Sequence, residues 1–226
     1  MAAATALAAA SGATALAIAA PVGIVDESRP LPRAEPVPGP PLLAAKAPDS
    51  PRIRWRRSLA LGTPAGGRLV RGVRLPASGR HFFTWDPVLR RSPNRPWRRW
   101  GTDRLVRVLL SVARAYHRAH PHAARMAIGD LSRPRGGDFG PRFGYIGHAS
   151  HQNGLDADVY YPRSDGTERA PRGAAQIDRR LSQELVERFA AAGAVLLLVG
   201  PSTGLTGPRV GVLPNHDNHV HVRLGP

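Results

Sequence analysis

Two short segments of this chain alternate between apolar residues and residues that can bind a metal ion. Residues 155–161 read Leu-Asp-Ala-Asp-Val-Tyr-Tyr, and residues 219–224 read His-Val-His-Val-Arg-Leu. Because successive side chains of a β-strand point to opposite faces, each segment predicts a strand with one apolar and one polar face. The apolar faces belong in a core. A pair of such strands can therefore bring carboxylate and imidazole groups to a common point.

The polar faces of these two strands carry the groups that zinc prefers. By parity, His219 and His221 share one face, and Asp156 and Asp158 share another. His151 lies on the loop before the first strand, and five of the chain's nine histidines lie in or beside these two segments. Catalytic zinc sites typically take three protein ligands and leave one position for water. Without a metal these groups would need separate hydrogen-bond partners, so the pattern favours a zinc hydrolase.

Two helices are predicted by apolar residues at helical spacing. The first carries the stripe Leu105–Tyr116, after an N-cap candidate at Thr102 and before Pro121. The second carries the stripe Ile177–Phe189 and stops at Gly193. Helices and strands that mix without a regular βαβ rhythm predict an α+β fold. We expect a small antiparallel sheet that carries the zinc site, flanked by helices and long loops.

Three other stretches of the sequence complete this prediction. The continuous apolar run Val195–Val199 between glycines predicts a buried strand. Residues 58–101 and 131–147 are rich in glycine and proline, so we expect much of this sequence to be loop.

The first quarter of the chain differs in composition from the rest. Residues 1–25 form a signal-like or low-complexity segment. Residues 1–20 are mostly alanine, and Ala17 and Ala19 form an A-x-A pattern typical of a secretory cleavage site. A low-complexity tail is the alternative, but the pattern favours export. Residues 26–52 are rich in proline and predict an extended linker. The folded domain with the zinc site is therefore expected over residues 53–226.

The charge of the chain restricts its partners. The formal net charge is +16, and Lys46 is the only lysine. Such a field attracts nucleic acid, anionic lipid or cell-wall polymers, although an arginine-rich coding bias explains it equally well. No nucleic-acid fold motif accompanies the charge, so no nucleic-acid partner is expected. No segment after the first 20 residues is long and apolar enough to span a bilayer.

The absence of cysteine narrows the chemistry further. It excludes disulfides, cysteine-ligated zinc and a thiol nucleophile.

The two histidine-rich segments resemble those of a known peptidase family. Residues 148–158 read His-Ala-Ser-His-Gln-Asn-Gly-Leu-Asp-Ala-Asp, and residues 216–223 read His-Asp-Asn-His-Val-His-Val-Arg. This double motif resembles the penicillin-insensitive murein endopeptidases, within the wider group that includes lysostaphin, D-Ala-D-Ala metallopeptidases and hedgehog-like domains. Residues 128–137 are also similar to the segment before the first motif. The resemblance covers roughly residues 53–224.

The resemblance implies a role for each matching residue. His151, Asp158 and His221 match the zinc ligands, and His219 matches the catalytic histidine. His216 and His148 match further active-site histidines. From the residues themselves, we expect Asp156 to orient a ligand or to make a structural hydrogen bond. We expect Arg223, with Arg133 or Arg135, to hold a substrate carboxylate.

The resemblance also implies the substrate, which is the peptidoglycan stem peptide cut between D-alanine and diaminopimelate. A D,D-carboxypeptidase or an L,D-type peptidase could use the same metal site on a different bond. A wall-binding module that keeps the metal without catalysis is a third reading. In the Trp97–Trp100 cluster, stacking on sugar rings and packing on the core are both open. The oligomeric state does not follow from the sequence.

Overall fold

The computed structural model describes residues 52–139 and 148–226. All of them fall within one of the two compact units of the chain, Ala45–Pro226. The predicted signal-like segment lies outside the described residues, and so does the proline-rich linker except for Arg52. Both assignments, and the start of the peptidase domain at residue 53, stay predictions.

The described residues form eleven strands and two α-helices. The strands are β1 Leu59–Thr63, β2 Gly66–Val70, β3 Val73–Arg74, β4 Ser78–Gly79, β5 Phe82–Thr84, β6 Trp100–Gly101, β7 Met126–Ile128, β8 Asp156–Tyr160, β9 Ala194–Val199, β10 Val210–Val212 and β11 His219–Leu224. The helices are α1 Asp103–Ala119 and α2 Arg179–Ala191, with 3-10 turns at Pro96–Arg98 and Ala174–Gln176. The predicted α+β class is confirmed.

The main sheet is larger than expected and is mixed. It has seven strands in the order β10-β9-β11-β8-β7-β5-β4. The pairs β10–β9 and β5–β7 are parallel, and the other pairs are antiparallel. Strands β1 and β2 form a separate hairpin, and β3 pairs with β6. The sheet is mostly antiparallel, as expected, but it is not small and two of its pairs are parallel. The two strands proposed to carry the site are antiparallel neighbours.

Residues 58–101 contain loops, as expected, but also six short strands that the sequence did not predict. The structure places β1 to β6 there, and each of these strands has only two to five residues. Segments this short are too brief to show a clear apolar period in the sequence. Pairing with another strand defines them instead. The partner is local for β1–β2 and β4–β5, but distant in the sequence for β3–β6 and β5–β7.

Both predicted helices are present, and local hydrogen bonds explain where they begin. The Thr102 side chain accepts a hydrogen bond from the Leu105 amide, which caps α1. The Asp178 side chain accepts one from the Leu181 amide, so α2 begins after Ile177 rather than at it. No helix of the described residues is long and apolar enough to cross a membrane.

The core lies between the two helices and one face of the main sheet. The β11 side chains Val220, Val222 and Leu224 are buried there, together with Ala157 and Val159 of β8. They pack in one cluster with the apolar stripes of α1 and α2. On the opposite face of the sheet, the β9 side chain of Val195 is 49% exposed. The buried strand predicted at Val195–Val199 is therefore buried on one face only.

Candidate metal centre

The register of β8 and β11 brings the predicted ligands together. In this antiparallel pair His221 lies opposite Asp158, and His219 lies opposite Tyr160. Directly opposed residues of two strands project to the same face of the sheet. The predicted parity of both strands is thus confirmed, because the alternate residues enter the core.

His151 reaches the same point from the loop before β8. Its backbone has φ 69, a conformation that a residue with a side chain rarely adopts. The loop is held in place by two hydrogen bonds. The His151 amide donates to Asp156 Oδ2 at 2.9 Å, and its ring Nδ1 donates to the Leu131 carbonyl at 2.8 Å. The second bond fixes the tautomer, so the lone pair of Nε2 points into the site.

Three potential ligand atoms form a nearly equilateral triangle. His151 Nε2 lies 3.2 Å from His221 Nδ1 and 3.3 Å from Asp158 Oδ1, and the latter two atoms are 3.2 Å apart. Ligands at about 2.0–2.1 Å from a tetrahedrally coordinated zinc ion are separated by about 3.3 Å. The spacing of these three atoms therefore fits a zinc ion.

His148 also belongs to the cluster. His148, His151 and Asp158 form a group that could hold a metal ion, with one ligand atom from each within 4.8 Å of the others. His148 Nδ1 is 3.6 Å from Asp158 Oδ2, which is farther than the 3.2 Å between His221 Nδ1 and Asp158 Oδ1. The His148 Nε2 donates instead to Asp130 Oδ2 at 2.8 Å. His148 is thus held at the edge of the triangle.

A fully buried ion pair supports His148 from behind. Asp130 is 1% exposed and binds Arg98, which is completely buried. Arg98 Nε donates to Asp130 Oδ1 at 2.6 Å, and Asn94 Nδ2 donates to the same oxygen at 2.9 Å. Every oxygen of this carboxylate therefore has a donor, as a buried charge requires.

Asp156 braces the other side of the site. Its Oδ1 accepts from Arg223 Nε at 2.7 Å, and its Oδ2 accepts from Arg223 Nη2 at 3.2 Å. The same carboxylate receives the His151 amide, and its Oδ1 lies 3.5 Å from His221 Nε2. Asp156 thus connects the loop that carries His151 to the strand that carries His221. The Arg223 guanidinium, predicted to hold substrate, is bound in part to Asp156.

The two remaining histidines lie beside the triangle. His219 Nδ1 donates to Asn218 Oδ1 at 2.6 Å, and its Nε2 is 3.7 Å from Asp158 Oδ1. His216 Nδ1 donates to the Pro214 carbonyl at 2.9 Å, and the rings of His216 and His219 are 4.7 Å apart. In both rings Nδ1 makes the hydrogen bond, so Nε2 is the nitrogen left without a proton.

Asp158 and the five histidines of the two segments line one cleft of about 640 Å³, whereas Asp130, Arg98 and Asp156 are not among its lining residues. Tyr160, Asn215 and Arg223 line it too. Neither Arg133 nor Arg135, which were expected to reach substrate, is among the described residues of this cleft.

The electrostatics of the cluster centre on Asp158. Burial opposes its ionisation, but His151 and His219 hold its pKa well below the ordinary value. Burial lowers the pKa of His151, and it lowers the pKa of His219 to about 4. Burial also opposes the charged form of His221, yet Asp156 and Asp158 raise its pKa to about 9. A concentrated anionic charge thus faces the imidazoles, as a cation site requires.

The comparison with protein families agrees with this arrangement. The family model of the penicillin-insensitive murein endopeptidases matches residues 60–192. The chain belongs to this family. The matched residues include His148, His151 and Asp158 but end before β11, so the match is independent of His219 and His221. Membership supports peptidase activity on peptidoglycan. Among curated proteins, no match is found.

Apart from Asp156, the sequence did not identify the residues that support the site of this family member. Asp130 lies in the segment that resembles the family, but no role could be assigned to it. Arg98 was considered only as part of an aromatic and basic cluster, yet it is completely buried. Its neighbour Trp97 packs with its ring centre 6.0 Å from that of Phe139 and 4.9 Å from the Arg98 guanidinium carbon. The only sequence signal was an acidic residue two positions after the end of β7.

We expect Arg98→Met to destabilise the protein by about 3 kcal/mol or more, because it leaves the Asp130 carboxylate buried without its main cationic partner. The matched control is Arg125→Met, which breaks the more exposed pair with Glu168 at 2.6 Å. That change should cost less than about 1 kcal/mol. Urea denaturation measures both free energies of unfolding. Equal losses in the two variants would contradict a supporting role for the buried pair.

Proposed function

We propose that the chain is an exported zinc endopeptidase that cuts peptide cross-links of peptidoglycan. The observation that carries the proposal is the triangle of His151 Nε2, Asp158 Oδ1 and His221 Nδ1, with sides of 3.2–3.3 Å. Family membership supports the substrate class. The bond is expected to be that between D-alanine and diaminopimelate, as the resemblance of the two motifs implies.

His151, Asp158 and His221 would hold the zinc ion. When bound, zinc lowers the pKa of a coordinated water to about 7 and polarises the scissile carbonyl. The bond from His151 Nδ1 to the Leu131 carbonyl presents Nε2 as a ligand. Asp156 has the corresponding role for His221, whose Nε2 faces it at 3.5 Å. These contacts hold the ligand rings in place before the metal binds.

His219 is the residue we assign as general base. Because its Nδ1 donates to Asn218, its Nε2 carries the lone pair and can accept a proton from the nucleophilic water. The same nitrogen can then return the proton to the leaving amine. His216 lies next to it and in its protonated form would stabilise the oxyanion. No serine is acylated in this scheme, so a β-lactam has no nucleophile to block.

Arg223 gives the cleft a contact for an anionic wall peptide. Arg223 lines the cleft beside the ligands, and its guanidinium can contact a stem-peptide carboxylate while it stays bound to Asp156. The substrate lies outside the cytoplasm, so the proposal places the protein in the periplasm or at the cell wall. The alanine-rich segment of residues 1–25 is consistent with this location.

We expect the choice of ligands to be visible in zinc content. His221→Ala and Asp158→Ala should lose most of the bound zinc, because each removes one of the three ligand atoms. His148→Ala should keep it at saturating zinc, with affinity lowered by no more than about 10–100-fold, as for a residue that only supports ligands. Metal analysis after dialysis and chelator competition measure both. Zinc retained in His221→Ala but lost in His148→Ala would show that His148 is the third ligand.

The function itself is tested by digestion of purified cross-linked peptidoglycan, with mass spectrometry of the products. We expect cross-linked dimers to be converted to monomers by the zinc-loaded protein and not after chelation. Release of terminal D-alanine alone would show a D,D-carboxypeptidase, and cleavage of an L,D bond would show the related peptidase. If zinc-replete protein cuts no bond but still sediments with the wall, it is a binding module.

His219→Ala should separate catalysis from metal binding. We expect it to keep its zinc and to lower the rate by roughly 10²–10⁴-fold, the usual contribution of a general base. His122→Ala is the control, since this histidine lies outside the cleft residues. Full activity in a zinc-loaded His219→Ala protein would remove this residue from the mechanism.

A further inference from the structure

A second concave surface of the described chain is lined by arginines. This arginine pocket has a volume of about 470 Å³ and shares no lining residue with the metal cleft. Its charged and aromatic walls are Arg52, Arg54, Arg56, Arg74, Arg99 and Trp100. None of its described lining residues is acidic. A concave site with this charge pattern selects for an anion.

Arg99 is the buried member of the pocket. The residue is only 6% exposed, and its Nη1 donates to the Leu75 carbonyl at 2.7 Å. Its Nε is buried and has no hydrogen-bond partner among the described residues. A buried donor on a cation costs free energy when it is left without an acceptor. An acceptor supplied from outside would remove this cost.

Arg74 adds a second positive charge at the same place. It lies on β3 opposite Trp100 of β6, with its guanidinium carbon 6.0 Å from the Trp100 ring centre. Burial and the nearby Arg74 lower the pKa of Arg99 to about 10. Among the described residues, no carboxylate forms an ion pair with Arg74 or Arg99. The two guanidinium groups therefore repel each other without compensation.

A structural role for Arg99, which links its segment to Leu75, explains only part of the arginine cluster. The Leu75 amide donates to the Arg99 carbonyl at 2.8 Å, and Arg99 Nη1 returns a bond to the Leu75 carbonyl. One nitrogen of Arg99 is sufficient for that link. It gives no reason for Nε to be buried without a partner, or for four more arginines around the same opening.

We propose that the arginine pocket is a binding site for a phosphate-type oxyanion, separate from the metal cleft. A monocarboxylate carries one charge and would compensate only one guanidinium. A phosphate group offers more acceptor oxygens, which match the planar donors of several arginines at once. Arg99 and Arg74 would bind it at the base of the pocket, and Arg54 and Arg56 would bind it at the rim. The phosphate is either a free ion or part of a polymer.

Calorimetric titration of the zinc-loaded full chain tests the proposal and distinguishes the two sources. The probes are inorganic phosphate and a glycerol phosphate polymer. We expect Arg74→Gln to weaken binding roughly tenfold or more, as removal of a hydrogen bond to a charged group does. Arg54→Gln, at the exposed rim, should weaken it less. Pocket-dependent binding of phosphate identifies a free ion, and pocket-dependent binding of the polymer alone identifies a polymeric ligand.

The control is Arg114→Gln, which removes the same charge from an exposed position of α1 outside the pocket. It should leave both affinities within about twofold of the parent, because exposed charges are screened by salt. Thermal melting verifies that all variants fold. The proposal is overturned if neither probe binds, or if Arg74→Gln binds as the parent does. Equal weakening by Arg114→Gln would also overturn it. None of these readings depends on peptidase activity.

Discussion

The antiparallel register between β8 and β11 is the constraint on which the site depends. It sets His221 opposite Asp158 and buries that carboxylate to 5% exposure beneath imidazole rings. A shift of one residue would turn the histidines into the core and the valines outward. The register is fixed because Val220 and Val222 are completely buried on the other face. The core that stabilises the fold thus also positions the ligands.

Around this pair, the other ligand and its supports come from separate loops. His151 is held by Asp156 and by the Leu131 carbonyl, while His148 is held by Asp130. The cost of burying Asp130 is offset by the Arg98 guanidinium and by Asn94. His151 and His148 therefore each have one nitrogen bound by the protein, which leaves the other directed at the site. Such fixed rings need little reorganisation when a metal binds.

The arginines of this chain serve different purposes even when they are neighbours. Arg98 is neutralised internally by Asp130 behind the metal centre, whereas Arg99 faces a pocket without a carboxylate. Arg223 braces Asp156 within the cleft. A net charge of +16 therefore does not describe one uniform basic surface. It includes buried structural cations, a cleft that suits wall peptides, and a separate anion pocket.

The sequence by itself determined the features that are local. Side-chain parity of β8 and β11, the α1 stripe with its Thr102 cap, and the candidate ligands follow from periodicity and residue chemistry. Only the tertiary structure decided which distant groups meet. The short strands before α1 have no period long enough to detect. The pairing of Asp130 with His148 spans 18 residues, and that of Arg223 with Asp156 spans 67. The periodicity of a sequence predicts the face of a strand or helix on which a side chain lies. Which distant residue that side chain contacts depends on how the strands and helices pack.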